Sequence, residues 1–215
     1  MEMPISGSII AGPNLGFVDC GIDASAGAGD GSGQVRSQAR REVVISGKRV
    51  KTVDVHAHCI VPEAAKLIDH SLEAPGLLWS NISDRLAQME QTGVDVQALS
   101  INPYWYRAER DAVAELIRVQ NEALAEFCAS DQDRFVAFAT AALQYPDLAA
   151  EQVEQAVKTF GFRGIGVGGS VAGEELANPK FHPFWAKCEE LGVLVFMHPL
   201  GTRELEPSGR LAGNG

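Results

Sequence analysis

What is scarce in this 215-residue chain already narrows its class. Cysteine is rare: Cys20, Cys59, Cys128 and Cys188 lie far apart, and no two form a CxxC pair. A chain this long and apolar needs no disulfide staples, so a reducing compartment is expected. Basic residues are outnumbered, with 18 Lys and Arg against 28 Asp and Glu and a net charge of −10. That balance offers no general attraction to phosphate backbones or anionic lipid, so neither nucleic acid nor a membrane is an expected partner. Long apolar runs are missing too, and no Lys or Arg precedes Arg36. Neither a signal peptide nor a membrane span is expected, and a cytoplasmic location is. No glycine-rich phosphate loop of the dinucleotide or P-loop kind follows the first strand expected in the folded region.

What is present is an ordinary globular composition, 46% hydrophobic and 21% charged. Its glycines crowd the N-terminus, where Ala24 to Gly33 reads as a linker that buries too little apolar surface to repay its ordering. Residues 1–40 are therefore expected to be a flexible Gly/Ala/Ser-rich tail, and residues 41–215 the folded part. The basic cluster from Arg36 to Lys51 suits a solvated strand or tail, with a short hairpin turned at Ser46-Gly47.

From Lys51 onward the two hydrophobic periods alternate. Strand patterns at Thr52–His56, Val94–Ser100, Phe135–Ala139, Gly164–Val167 and Val193–Met197 are separated by helical patterns. The helices are expected at Glu63–Ile68, at Asp84–Gln91 before Gly93, along Val113, Leu116, Ile117, Leu124 and Phe127, from Pro146, and at Phe184–Leu191 before Gly192. The continuous apolar run Val193–Met197 suits a parallel strand buried on both faces. Strict alternation implies parallel strands with helical crossovers, either an open doubly wound sheet or a barrel. A histidine pair where a phosphate loop would sit favours the barrel.

In Asp54-Val-His56-Ala-His58, strand alternation turns Asp54, His56 and His58 to one face. They stand at the carboxyl end of the first of the alternating strands, where barrels and open parallel sheets place their sites. His198 holds the same place on the fifth of these strands. Three neutral imidazoles could hold a divalent metal, Zn²⁺ first and Mn²⁺ second, at ~2.0–2.1 Å for zinc. Asp54 is either an outer residue that orients an imidazole, the preferred reading, or a carboxylate with its own buried partner. Cys59 falls on the opposite strand face, while His70 and His182 read as surface or capping residues.

Several motifs then appear in one order: VDVHAH with Pro62, RLAQMEQTGVDVQALS, DRFVAFATAALQYPDLAAEQVEQAV, GFRGIGVG and HPFWAKCEELGVLVFMHP. From Thr52 to Pro199 they resemble the metal-dependent, amidohydrolase-related family typified by aminocarboxymuconate-semialdehyde decarboxylase. The resemblance implies a distorted (β/α)₈ TIM-barrel-like fold with one divalent ion, held here by His56, His58 and His198. It also implies nonoxidative decarboxylation or hydrolysis of a small unsaturated or aromatic carboxylic acid.

Two departures from the family pattern shape the expectation. Such proteins continue past the HP motif to an acid/base histidine in a HGG-like segment and a metal-ligating aspartate. Here the residues after His198 offer only Glu204 and Glu206 as carboxylate side chains. About five strand-helix units are present where a closed barrel takes eight, so residues 41–215 are expected to form the N-terminal portion of a barrel lacking its last strands. The family's arginine in the loop after the first of these strands has no counterpart in residues 71–84. Asn102 and Tyr104, with Trp105 and Tyr106, either line a pocket for a planar acid or pack on a neighbouring helix. The functional alternatives are a metal-dependent decarboxylase or hydrolase and a noncatalytic remnant that binds metal weakly and self-associates as a homo-oligomer.

Overall fold

The computed structural model describes residues 42–68 and 82–199, and by backbone alone two short strands, β1 (Gly16–Val18) and β5 (Leu78–Trp79). A hairpin of β2 (Val44–Ile45) and β3 (Lys48–Arg49) turns at Ser46-Gly47, as its residues predict. The remaining elements alternate: β4 (Val53–Ile60), α1 (Pro62–Ala65), α2 (Ile82–Thr92), β6 (Val96–Ser100), α3 (Arg110–Ser130), β7 (Phe135–Ala137), α4 (Pro146–Phe160), β8 (Gly164–Val167), α5 (His182–Leu191) and β9 (Leu194–Met197).

Helix ends follow the residues placed there. Gly93 and Gly192 take the left-handed conformation with φ of 75° and 63°. After each of them the next amide reaches back to close the last turn, Val94 N–H to the Met89 carbonyl and Val193 N–H to the Cys188 carbonyl. Along α3 the predicted stripe of Val113, Leu116, Ile117, Leu124 and Phe127 is buried in full. Each such side chain contributes ~1.5–3 kcal/mol by leaving water, which pins the helix to the sheet.

Five parallel strands run in the order β4, β6, β7, β8, β9 among the described residues. The first three form one ladder, the last two another, and the bridge Ala139–Ile165 joins them. In a flat sheet four spacings of ~4.8 Å would set β4 and β9 about 19 Å apart. Instead the His56 and His198 rings touch, so the sheet curls into the arc of a barrel. Helices pack outside this arc, and the carboxyl ends of its strands gather on one rim.

Three expectations change. β1 lies within the stretch read as a tail, yet it pairs antiparallel with the far half of β4, Phe17 opposite Cys59 and Val18 opposite His58. β9 is not buried on both faces: Leu194 is 56% and Met197 54% exposed, since β8 alone pairs with it among the described residues. Finally, β4 is kinked. Asp54 pairs with Gln97 and Ala57 with Leu99, so two residues, Val55 and His56, oppose the single Ala98. This bulge puts Asp54 and His58 on opposite faces, where unbroken alternation would have put them on one.

Candidate metal centre

Each imidazole reaches the rim from a different local setting. His58 lies inside β4, opposite Ser100 of β6, and is 3% exposed. The Ser100 hydroxyl lies 2.9 Å from its Nδ1. His56 occupies the bulge, and His198 directly follows β9, with its amide donating to the Val167 carbonyl at 2.8 Å. The three ring centroids are 4.5 to 5.1 Å apart, and the Nε2 atoms of His56 and His198 face each other at 3.1 Å. One ligand atom from each residue lies within 4.8 Å of the others.

The donor set fits a divalent metal. Nε2 of His58 is buried with no hydrogen-bond partner, a costly state for a ring nitrogen that a cation would relieve. Burial first, then the neighbouring His198 and His56, pushes the His58 imidazole down to about 4. The ring is therefore neutral near pH 7, the form that donates a lone pair to metal. When Nδ1–H donates to the Ser100 hydroxyl, the tautomer that metal ligation requires, the free lone pair falls on Nε2.

Asp54 does not face the rings. Its carboxylate accepts from the Gln97 side-chain amide at 2.9 Å and from the His56 main-chain N–H at 3.0 Å. Gln97 in turn accepts from Nε of buried Arg85 at 2.7 Å. Cys59 is buried on the opposite side of β4 from His58, as its spacing predicts. His182 opens α5 on the surface, and His70 lies outside the described residues. Asn102 is buried just beyond β6, and the partly exposed Tyr104 packs on Ile60.

Trp105 and Tyr106 belong to the core. Trp105 is fully buried and donates from Nε1 to the Ala141 carbonyl, while the Tyr106 hydroxyl accepts from the Gly168 N–H. Ser100, Gln97 and Arg85 escaped the sequence reading because their roles depend on strand register. Phe138 did as well: it stacks on Phe196 at 5.0 Å, and Phe196 lies 6.0 Å from the His56 ring.

An arc of parallel strands with clustered imidazoles on its carboxyl rim is the arrangement of part of a TIM-barrel-like (β/α)₈ fold with a candidate metal site. The family model described as Amidohydrolase matches residues 53–210, and the chain belongs to that family. It is similar to the gamma-resorcylate decarboxylase of Rhizobium sp. (strain MTP-10005), 34% identical over 163 residues that cover 68% of this chain and 49% of that protein. Among solved structures it resembles 2,6-dihydroxybenzoate decarboxylase from Rhizobium, with a TM-score of 0.55, 30% identity and coverage of 74% and 53%. It also resembles a 5-carboxyvanillate decarboxylase from Novosphingobium aromaticivorans with bound manganese, with a TM-score of 0.52, 27% identity and coverage of 54% and 34%. The chain spans about half the length of the curated relatives it matches. No helix among the described residues is long and apolar enough to cross a membrane.

Proposed function

We propose that this protein is a metal-dependent nonoxidative decarboxylase of a small aromatic carboxylic acid. The observation that carries the reading is the meeting of His56, His58 and His198, with the buried, unpartnered Nε2 of His58 among them. These three residues would hold the cation, which when bound supplies a Lewis acid and a template for an anionic substrate. Zinc best matches three imidazoles, and manganese is the alternative supported by the 5-carboxyvanillate decarboxylase. The free thiols of Cys59, Cys128 and Cys188 support a cytosolic setting.

The chain's own residues prepare that site in three ways. Ser100 holds the His58 ring in one orientation, and the bulge in β4 presents His56 to His198. The stacked Phe138 and Phe196 form an apolar wall beside His56, suited to an aromatic ring. Asn102 and Tyr104, just past β6, are the proposed contacts for the substrate's polar groups. In the reaction the bond between ring carbon and carboxylate breaks, its electron pair stays on carbon, and a proton replaces the departing CO₂.

The test is CO₂ release from 2,6-dihydroxybenzoate with Zn²⁺ or Mn²⁺ added to chelator-treated protein. Release that needs metal and is lost in His56→Ala and His198→Ala is expected. Release that is indifferent to both changes would overturn the reading. A second reading, a noncatalytic chain that self-associates, is favoured by the exposed apolar residues Val53, Val136, Leu194 and Met197. It predicts metal binding and oligomers in sedimentation without turnover.

A further inference from the structure

We propose that Gln97 is a positioning residue for the metal centre: held between the Arg85 guanidinium and the Asp54 carboxylate, its amide fixes the kink in β4 that carries the His56 ring to His198. The inference rests on the proposed role of His56 as a metal ligand.

Three hydrogen bonds run in series from α2 to the strand that bears the ligands. Nε of Arg85 donates to Oε1 of Gln97 at 2.7 Å, Nε2 of Gln97 donates to Oδ2 of Asp54 at 2.9 Å, and the His56 amide donates to Oδ1 of Asp54 at 3.0 Å. The two neighbours leave Gln97 one orientation. Its oxygen must face the cation and its nitrogen the anion, because a guanidinium only donates and a carboxylate only accepts. Arg85 is 4% and Gln97 5% exposed, so water is a poor substitute for either partner.

The series ends at the register shift of β4: Asp54 pairs with Gln97 and Ala57 with Leu99, and His56 lies in the bulge between them. Asp54 therefore supplies an acceptor for the amide of a residue that the bulge has taken out of register. The His56 ring then projects to Nε2 of His198, from the other end of the arc. A change at Gln97 should reach the metal through the backbone of His56, with no contact between Gln97 and the cation.

The polarity of the series supplies a swap test on the full chain. Gln97→Glu keeps the acceptor for Arg85 but has no N–H for Asp54. Affinity for Zn²⁺, titrated as the chloride, is expected to fall about tenfold or more, as for other outer partners of metal ligands. Hydrogen exchange at the His56 amide should quicken in the metal-free protein. Adding Asp54→Asn to the same chain rebuilds the series with equal total charge: the Asn amide donates to Glu, and its oxygen accepts from His56. Affinity should return to within about threefold of the starting protein, a coupling between neighbours that a packing role would not produce.

Should Gln97→Glu fail to fold, Gln97→Met, which lacks both polar atoms, is read by the same titration and exchange. Unchanged affinity and exchange in the single variant, or no recovery in the double variant, would overturn the proposal. Failure of the unmodified chain to bind Zn²⁺ would instead refute the metal-site reading, and exchange at His56 would still decide whether Gln97 holds the bulge.

Discussion

The hydroxyl of Ser100 lies 2.9 Å from Nδ1 of His58, across paired strands that bury both residues. One ring nitrogen of His58 is thereby occupied and the other, also buried, is left for the centre of the histidine cluster. A short polar side chain on β6 thus selects which atom of a β4 residue can serve as a ligand.

Ser100→Ala removes that selection. Affinity for Zn²⁺ is expected to fall about tenfold, and stability by about 1–2 kcal/mol for the lost buried hydrogen bond. Titration with the metal and urea unfolding of the metal-free protein measure the two effects separately. Unchanged affinity would show that the ring is held by packing alone.

Metal should stabilise the fold, because the cluster joins β4 to β9 across a chain separation of 142 residues. At a free Zn²⁺ concentration a hundred times Kd, the unfolding free energy should rise by about 2.7 kcal/mol. A chelator should reverse the gain, and His198→Ala should show little of it. Thermal unfolding with and without metal checks this.

Gly164 sets the inner surface of the arc. A Cβ there would fall 2.4 Å from Cδ1 of Phe138, inside any tolerable contact. Gly164→Ala is expected to displace Phe138 from Phe196 and to cost about 1–3 kcal/mol through overpacking. Urea unfolding reads the cost, and a changed near-ultraviolet circular dichroism spectrum would report the disturbed aromatic pair.

On the outer side, Asn121 ties α3 to the segment after β7. Its amide donates to the Thr140 carbonyl at 3.0 Å, and its oxygen accepts from the Thr140 amide at 2.8 Å and hydroxyl at 3.1 Å. Asn121→Ala strands these buried groups and should destabilise the fold by about 3 kcal/mol in chemical denaturation. A loss below about 0.5 kcal/mol would mean that water replaces the side chain.

The order of elements was legible because it rests on local signals. The stripe along α3, the stops at Gly93 and Gly192, and Pro146 opening α4 each act within a few residues. The parallel order of strands followed from their alternation with helices, and the histidine motifs marked the rim. The bulge at His56 was not legible, since a bulge is defined by pairing with β6 and register is absent from a single strand's pattern. For the same reason the partners of Asp54 and His58, Gln97 and Ser100, could not be named from spacing. For Trp105 and Tyr106 the sequence left two alternatives open, and the structure shows the packed one. Their aromatic rings suited a pocket as well as a core, and the polar tips that suggested ligand contact are used on the Ala141 carbonyl and the Gly168 amide.

The most direct measurement is anomalous X-ray diffraction from crystals grown with stoichiometric Zn²⁺. A single strong peak is predicted, bonded by one nitrogen each from His56, His58 and His198 at ~2.0–2.1 Å. A peak at other residues, or none between these three rings at saturating zinc, would contradict the account.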